Sequence, residues 1–198
     1  MPKSGNFSPA FLGSLTPATT EIKESFHTAL NFLGKNLENK ILEYNLELQF
    51  NDKKSHGNRK NGCFYPTEYI IEFFTVKELL KKSSLDVVFV HELAHFLDRI
   101  NSPKTSRYKY ASSIRSSRER IVAETFRSKM KPFPKKRTNY RGRTCELFAR
   151  AIEEYYAIIT NNEYMLNTFD SWDYYVNLDD FKKVIMPIVK DYLCYNQK

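Results

Sequence analysis

Two of the chain's four histidines stand four residues apart, with a glutamate directly after the first: His91-Glu92-Leu93-Ala94-His95. On a helix, residues four apart lie on one face, one turn above the other. Two imidazoles so placed can reach one Zn²⁺ at about 2.0–2.1 Å. Glu92 points to an adjacent side, where it meets a water rather than the metal. Zinc lowers the pKa of such a water toward ~7, and Glu92 can take its proton and later pass it to a leaving amine. The chemistry is hydrolysis of a peptide bond. Uncharged Phe89-Val90 and Leu93-Ala94 flank the charged residues, as a buried metal helix requires. The competing reading, two core histidines, leaves Glu92 buried without a partner.

A catalytic zinc needs a third protein ligand and an open water position. His27 and His56 lie upstream, in a helix and a polar loop, at no helpful spacing. Downstream, Glu146 opens the run Glu146-Leu147-Phe148-Ala149-Arg150-Ala151-Ile152-Glu153-Glu154 and is the preferred ligand. Glu153, seven residues on along the same face, is the alternative. A first-turn carboxylate can also simply complement the helix dipole. Arg150, one turn after Glu146, is placed to pair with Glu146 or Glu153, or to face substrate. Asp98, one turn past His95, is a candidate acceptor for the ring N–H of a ligating histidine, or an ordinary polar residue near a helix end. Cys145 reads as a packed core thiol rather than a ligand. Arg150, Tyr140 and Tyr156 are candidate oxyanion donors.

The elements that must hold these residues can be read from periodicity. Residues 1–16 form an irregular arm, and 17–198 one domain. Thr16-Pro17 opens a helix with Phe26, Leu30 and Leu33 at helical spacing, and Gly34 ends it. Leu42 to Phe50 turns toward strand, with Leu46, Leu48 and Phe50 alternating with polar residues. Cys63-Phe64-Tyr65 and Tyr69 to Phe74 are further strands, and Val76 to Lys82 a helical turn. The pieces make a small, mostly antiparallel sheet. Tyr69 to Phe74 is the expected edge strand, where an extended substrate would add. Ser83-Ser84 caps a helix over Leu85 to Ile100. Strand competes there, but the length of the apolar run favours a buried helix. Further helices are expected near Ser116 to Lys129, from a cap at Thr144 to about Thr160, and over Leu178 to Leu193 with Pro187 as a kink.

The fold class implied is α+β. At 41% hydrophobic and 15% aromatic, the 198 residues can bury a core. Three cysteines without paired spacing argue against a disulfide framework and for a reducing cytoplasmic interior. No stretch approaches the ~18 apolar residues of a membrane span, and no secretory signal is evident. The net charge of +8 is uneven: residues 99–143 carry 15 Lys or Arg against two acids, leaving −5 for the rest. Within this segment Arg115, Arg118, Arg120 and Lys135-Lys136-Arg137 interleave with Tyr108, Tyr110, Phe126, Phe133 and Tyr140. Nucleic acid is the anionic partner such a pattern suits. A basic insertion over about 102–143, or a lid over the site, is the competing reading.

His91-Glu92-Leu93-Ala94-His95-Phe96-Leu97-Asp98 followed by Glu146-Leu147-Phe148-Ala149-Arg150-Ala151-Ile152-Glu153 resembles the zincin-like large polyvalent-protein-associated domain, first type, of phage and mobile-element proteins. More distantly it is similar to the metallopeptidase domain of ArdC-like antirestriction proteins. The resemblance covers roughly residues 60–195. It implies a zincin-like fold, Glu146 as third zinc ligand, peptidase activity on a protein or peptide substrate, and a mobile-element origin inside a host cell. The chain is short for such proteins, and about 50 residues separate His95 from Glu146. The alternative is a DNA-binding or antirestriction-type protein whose zinc site is structural or degenerate.

Overall fold

A computed structural model describes residues 20–34, 36–51, 61–81, 84–104, 109–130, 143–163, 166 and 176–196. Thr16-Pro17, Tyr140 and most of the polar loop after Phe50 lie outside them.

Helix α1 (Thr20–Leu33) buries Ile22, Phe26, Leu30 and Leu33. Gly34, at φ 118°, closes it in a conformation that suits glycine, its N–H bonded to the Leu30 carbonyl at 2.9 Å. Helix α2 (Asn36–Glu43) follows, where strand had been expected to begin at Leu42. Only Leu37 and Ile41 face the core, so the helical period is two residues long and easily missed. Leu42 is exposed on its outer face. Asn45, at φ 49°, ends the helix. The Leu46 N–H reaches Ile41 O at 3.0 Å and the Asn45 N–H reaches Leu42 O at 3.2 Å, a Schellman closure.

The alternating residues then form β1 (Glu47–Phe50), with β2 (Gly62–Tyr65) and β3 (Ile70–Phe73) completing a three-stranded sheet. The strand order is β1-β3-β2. β1 runs parallel to β3, and β2 antiparallel to it. The sheet is therefore mixed rather than mostly antiparallel. β3, the expected edge strand, is the central one, with its backbone committed on both sides. Ile71 and Phe73 face the core and are fully buried, as a central strand demands.

After α3 (Val76–Lys81) comes α4 (Leu85–Ile100), the span expected from its apolar run. Ser84 occupies the cap position without a side-chain cap bond. The Phe89 ring meets Phe26 at 5.2 Å, Phe50 at 6.1 Å and Phe73 at 4.5 Å between centroids, so helix α1 and the sheet meet on one residue of α4. Burying a ring of this size stabilises by roughly 1.5–3 kcal/mol. A short 3₁₀ turn (Ala111–Ser113) leads into α5 (Arg118–Lys129), capped by the Ser117 hydroxyl, which accepts from the Arg120 N–H at 3.0 Å. α5 lies within the basic segment yet buries Val122, Ala123 and Phe126. The described part of that segment is thus an integral packing layer.

Helix α6 (Thr144–Ile159) packs along α4. Its cap position is Arg143, in extended backbone, rather than Thr144, which already takes helical geometry. The last helical run opens at Leu178–Asp180, passes through a π turn over Phe181–Ile185 and continues as α7 (Met186–Asn196). Pro187 has no N–H to donate. The irregularity falls in the turn before it, as a π turn rather than a break. No helix among the described residues is long and apolar enough to cross a membrane.

Candidate metal centre

α4 and α6 lie antiparallel along one seam. Near the start of α4, Asp86 accepts from the Tyr156 hydroxyl at 2.6 Å, close to the end of α6. Further along, His91 Nδ1 and Glu153 Oε2 stand 2.8 Å apart. Further still, His95 Nε2 lies 3.5 Å from Glu146 Oε2, and His91 Nε2 lies 3.8 Å from Glu146 Oε1. His91, His95 and Glu146 form a group that could hold a metal ion, one ligand atom from each lying within 4.8 Å of the others.

The donors fit a four-coordinate divalent cation. Tetrahedral ligands at ~2.0–2.1 Å from one ion stand about 3.3 Å from each other. The two imidazole–carboxylate separations, 3.5 and 3.8 Å, are near that spacing but run to different Glu146 oxygens, and one ligand atom from each residue lies within 4.8 Å of the others, so the group would have to close on an ion. Glu153 accepts at His91 Nδ1, so that once the ring is neutral its Nε2 lone pair faces Glu146. Arg150 Nη2 donates to Glu146 Oε1 at 2.8 Å, fixing the carboxylate from behind. The His91 side chain keeps 14% exposure against 4% for Glu146, so solvent reaches the group from the His91 side.

Electrostatics follow from burial and this crowding. Burial pushes the His91 pKa down, but Glu153, through charge and hydrogen bond, with Glu146 and Glu92, outweighs it and raises His91 to about 9. Burial works to raise Glu146, yet the His95 hydrogen bond and the charges of His91 and Arg150 hold its carboxyl well below the usual range. Its place in the first turn of α6 adds the favourable end of the helix dipole. Glu92 is raised by burial, with the two histidines pulling the other way. Glu92 lies outside the ligand group, on the flank facing β2.

The remaining candidates separate. Asp98 is fully buried, and its two oxygens accept from the Ser112 N–H at 2.7 Å and the Ser112 hydroxyl at 2.6 Å. It serves the Ala111–Ser113 turn, while Glu153 stands at a ligand histidine's ring nitrogen. His95 Nδ1 is buried with no hydrogen-bond partner. Burial raises Asp98 to about 7 despite the Ser112 bonds. The Cys145 thiol is pushed by burial to about 12, which suits a packed residue better than a thiolate ligand. Among the oxyanion candidates, Arg150 is engaged with Glu146, and Tyr156 with Asp86 five residues before His91.

Three further residues lie beside this group, none of them given a part in it from the sequence. Tyr110 brings its ring within 6.3 Å of the His95 ring, on the turn that Asp98 holds. Glu154 is fully buried, its carboxyl without a hydrogen bond, and burial, with the neighbouring Glu153, raises its pKa well above the usual carboxylate range. Gly62 of β2 touches the Glu92 side chain. A glycine inside an aromatic β run is a signal of close approach that could have found it. On α5 the basic residues are partly balanced in place. Arg120 and Arg127 pair with Glu124, Arg118 lies 3.9 Å from Asp191, and Lys129 lies 4.0 Å from Asp180. Lys135-Lys136-Arg137 lies outside the described residues.

No protein-family model, curated protein or solved structure matches this chain.

Proposed function

We propose that this chain is a zinc-dependent metallopeptidase of the zincin type, in which His91, His95 and Glu146 hold the metal and Glu92 is the general base. The observation that carries the reading is the convergence of those three donors from two helices, with a second carboxylate, Glu92, buried beside them but outside the ligand group. Two histidines and one carboxylate also serve ferrous iron in oxygenases. A carboxylate between the histidines, placed for a water rather than for the metal, favours hydrolysis and hence zinc.

When bound, zinc supplies Lewis acidity, lowering the pKa of a water toward ~7 and polarising a carbonyl. The protein's own groups do the rest. Glu153 orients His91, and Arg150 holds Glu146. Glu92, whose pKa burial raises above the usual carboxylate range, would accept a proton from the water and return it to the departing amine. Among the described residues β1 and β2 each pair on one side only, and β2, which lies against Glu92, replaces β3 as the strand to which an extended peptide would add.

Glu92→Gln in purified protein tests the reading. Zinc stoichiometry should stay at one, while cleavage of a peptide library should fall on the order of 10²–10⁴-fold. Unchanged cleavage would remove Glu92 as base. Biological activity that survives the substitution would favour a DNA-binding or antirestriction protein with a structural metal.

A further inference from the structure

We propose that Gly62 seats the Glu92 carboxylate: strand β2 comes so close to the side chain of Glu92 that only a residue without a Cβ fits. A Cβ at position 62 would stand 2.7 Å from both Glu92 Cγ and Oε1, and 3.0 Å from Cδ. The backbone is not what requires glycine there. Among the described glycines only Gly34 has a positive φ, so an alanine would find ordinary strand geometry at 62. Space alone excludes it.

The strand cannot retreat to make room. Gly62 is paired with Phe73 in the antiparallel ladder. Phe73 is fully buried, with its ring stacked on Phe50 at 5.2 Å and packed on Phe89 at 4.5 Å. Phe89 lies on α4, one turn before Glu92. Helix, ring pair, ladder and glycine thus form a closed circuit that fixes the distance from β2 to α4. The Glu92 side chain is the movable member, and any group added at Gly62 turns it out of its seat. If Glu92 is the base, the strand offered to a substrate peptide also sets the base's position. That clause rests on the proposed function, whereas the contact itself does not.

The test is a double-mutant cycle of Gly62→Ala with Glu92→Ala, read by denaturation midpoint, together with kinetics of zinc-loaded Gly62→Ala. With Glu92 present, Gly62→Ala should lower the midpoint. In the Glu92→Ala background, where the space is open, it should leave the midpoint unchanged or raise it, because alanine loses less chain entropy than glycine on folding. If Gly62→Ala alone does not fold, rescue by Glu92→Ala is the expected result. Zinc stoichiometry and KM should hold in Gly62→Ala while kcat falls on the order of 10²-fold, the effect of misplacing a reacting group by about 1 Å. Equal midpoint shifts in the two backgrounds would overturn the proposal, as would a wild-type kcat in Gly62→Ala. A wild-type protein without peptidase activity would sink the proposed function, while the midpoint cycle would still decide the seat.

Discussion

Replacing Glu153 by Gln should weaken metal binding in a manner that depends on pH, and the dependence can be worked out from the site. Glu153 acts on His91 in two opposed ways. It fixes the ring with Nε2 toward the ligand group, and it raises the pKa of His91 in the metal-free protein to about 9, against burial. At pH 7 a group of that pKa is deprotonated in roughly one molecule in a hundred. Metal must displace that proton, which costs about two pH units, or ~3 kcal/mol. In the wild type the apparent affinity should therefore climb about tenfold per pH unit from 7 to 9 and then level off. In Glu153→Gln the proton is held less firmly, so the climb should be shallower and level off sooner. Above pH 9 only the lost orientation and ligand basicity remain, and the variant should bind about 10–100-fold more weakly. Near pH 7 the two curves should converge. Chelator competition with buffered zinc at half-unit intervals from pH 6.5 to 9.5 measures both. A constant ratio between variant and wild type across that range would refute the protonation argument. Equal affinity at pH 9.5 would refute the orienting role.

Two further outcomes follow from the same residues. The metal-free fold should lose stability as pH rises from about 6.5 through about 9. The raised pKa of His91 means its contribution is fully present below the unfolded value and lost above the folded one. Urea unfolding of apo protein at pH 6.5, 8 and 9.5 checks this, and a flat profile would contradict it. Asp98→Ala should cost roughly 1–3 kcal/mol, because it strands the buried Ser112 N–H. Zinc stoichiometry should be unchanged; loss of zinc without loss of stability would mean that Asp98 serves the histidines instead.

Helix α4 was legible because its signal is dense. From Leu85 to Ile100 most side chains are apolar, and the two histidines share one face whatever the tertiary context. Placing Glu146 beside them needed more than periodicity, since the two segments are about 50 residues apart and only packing joins them. Helix α2 escaped because two inward residues cannot distinguish one helical turn from a strand. Its stop signal, Asn45 in the left-handed region, reads in sequence as any loop asparagine. Strand order escaped for a different reason. β3 carries a partner on each side, but its four residues hold no information on which strands those are or in which direction they run.

The antiparallel seam between α4 and α6 has a consequence for how the ligand group comes into being. Its three rungs, Asp86 with Tyr156, His91 with Glu153, and His95 with Glu146, span nine residues on one helix and ten on the other. At 1.5 Å per residue these are about 14 and 15 Å, so the first and last rungs match in spacing, while long side chains at His91 and Glu153 reach across between them. A slip of one helical turn would displace one helix by about 5.4 Å and break all three at once. The seam therefore has a single register, and that register is set by polypeptide contacts alone. On the proposed function, an ion would meet donors that helix packing itself brings together, unlike the metal of a zinc finger, whose binding is what drives the chain to fold.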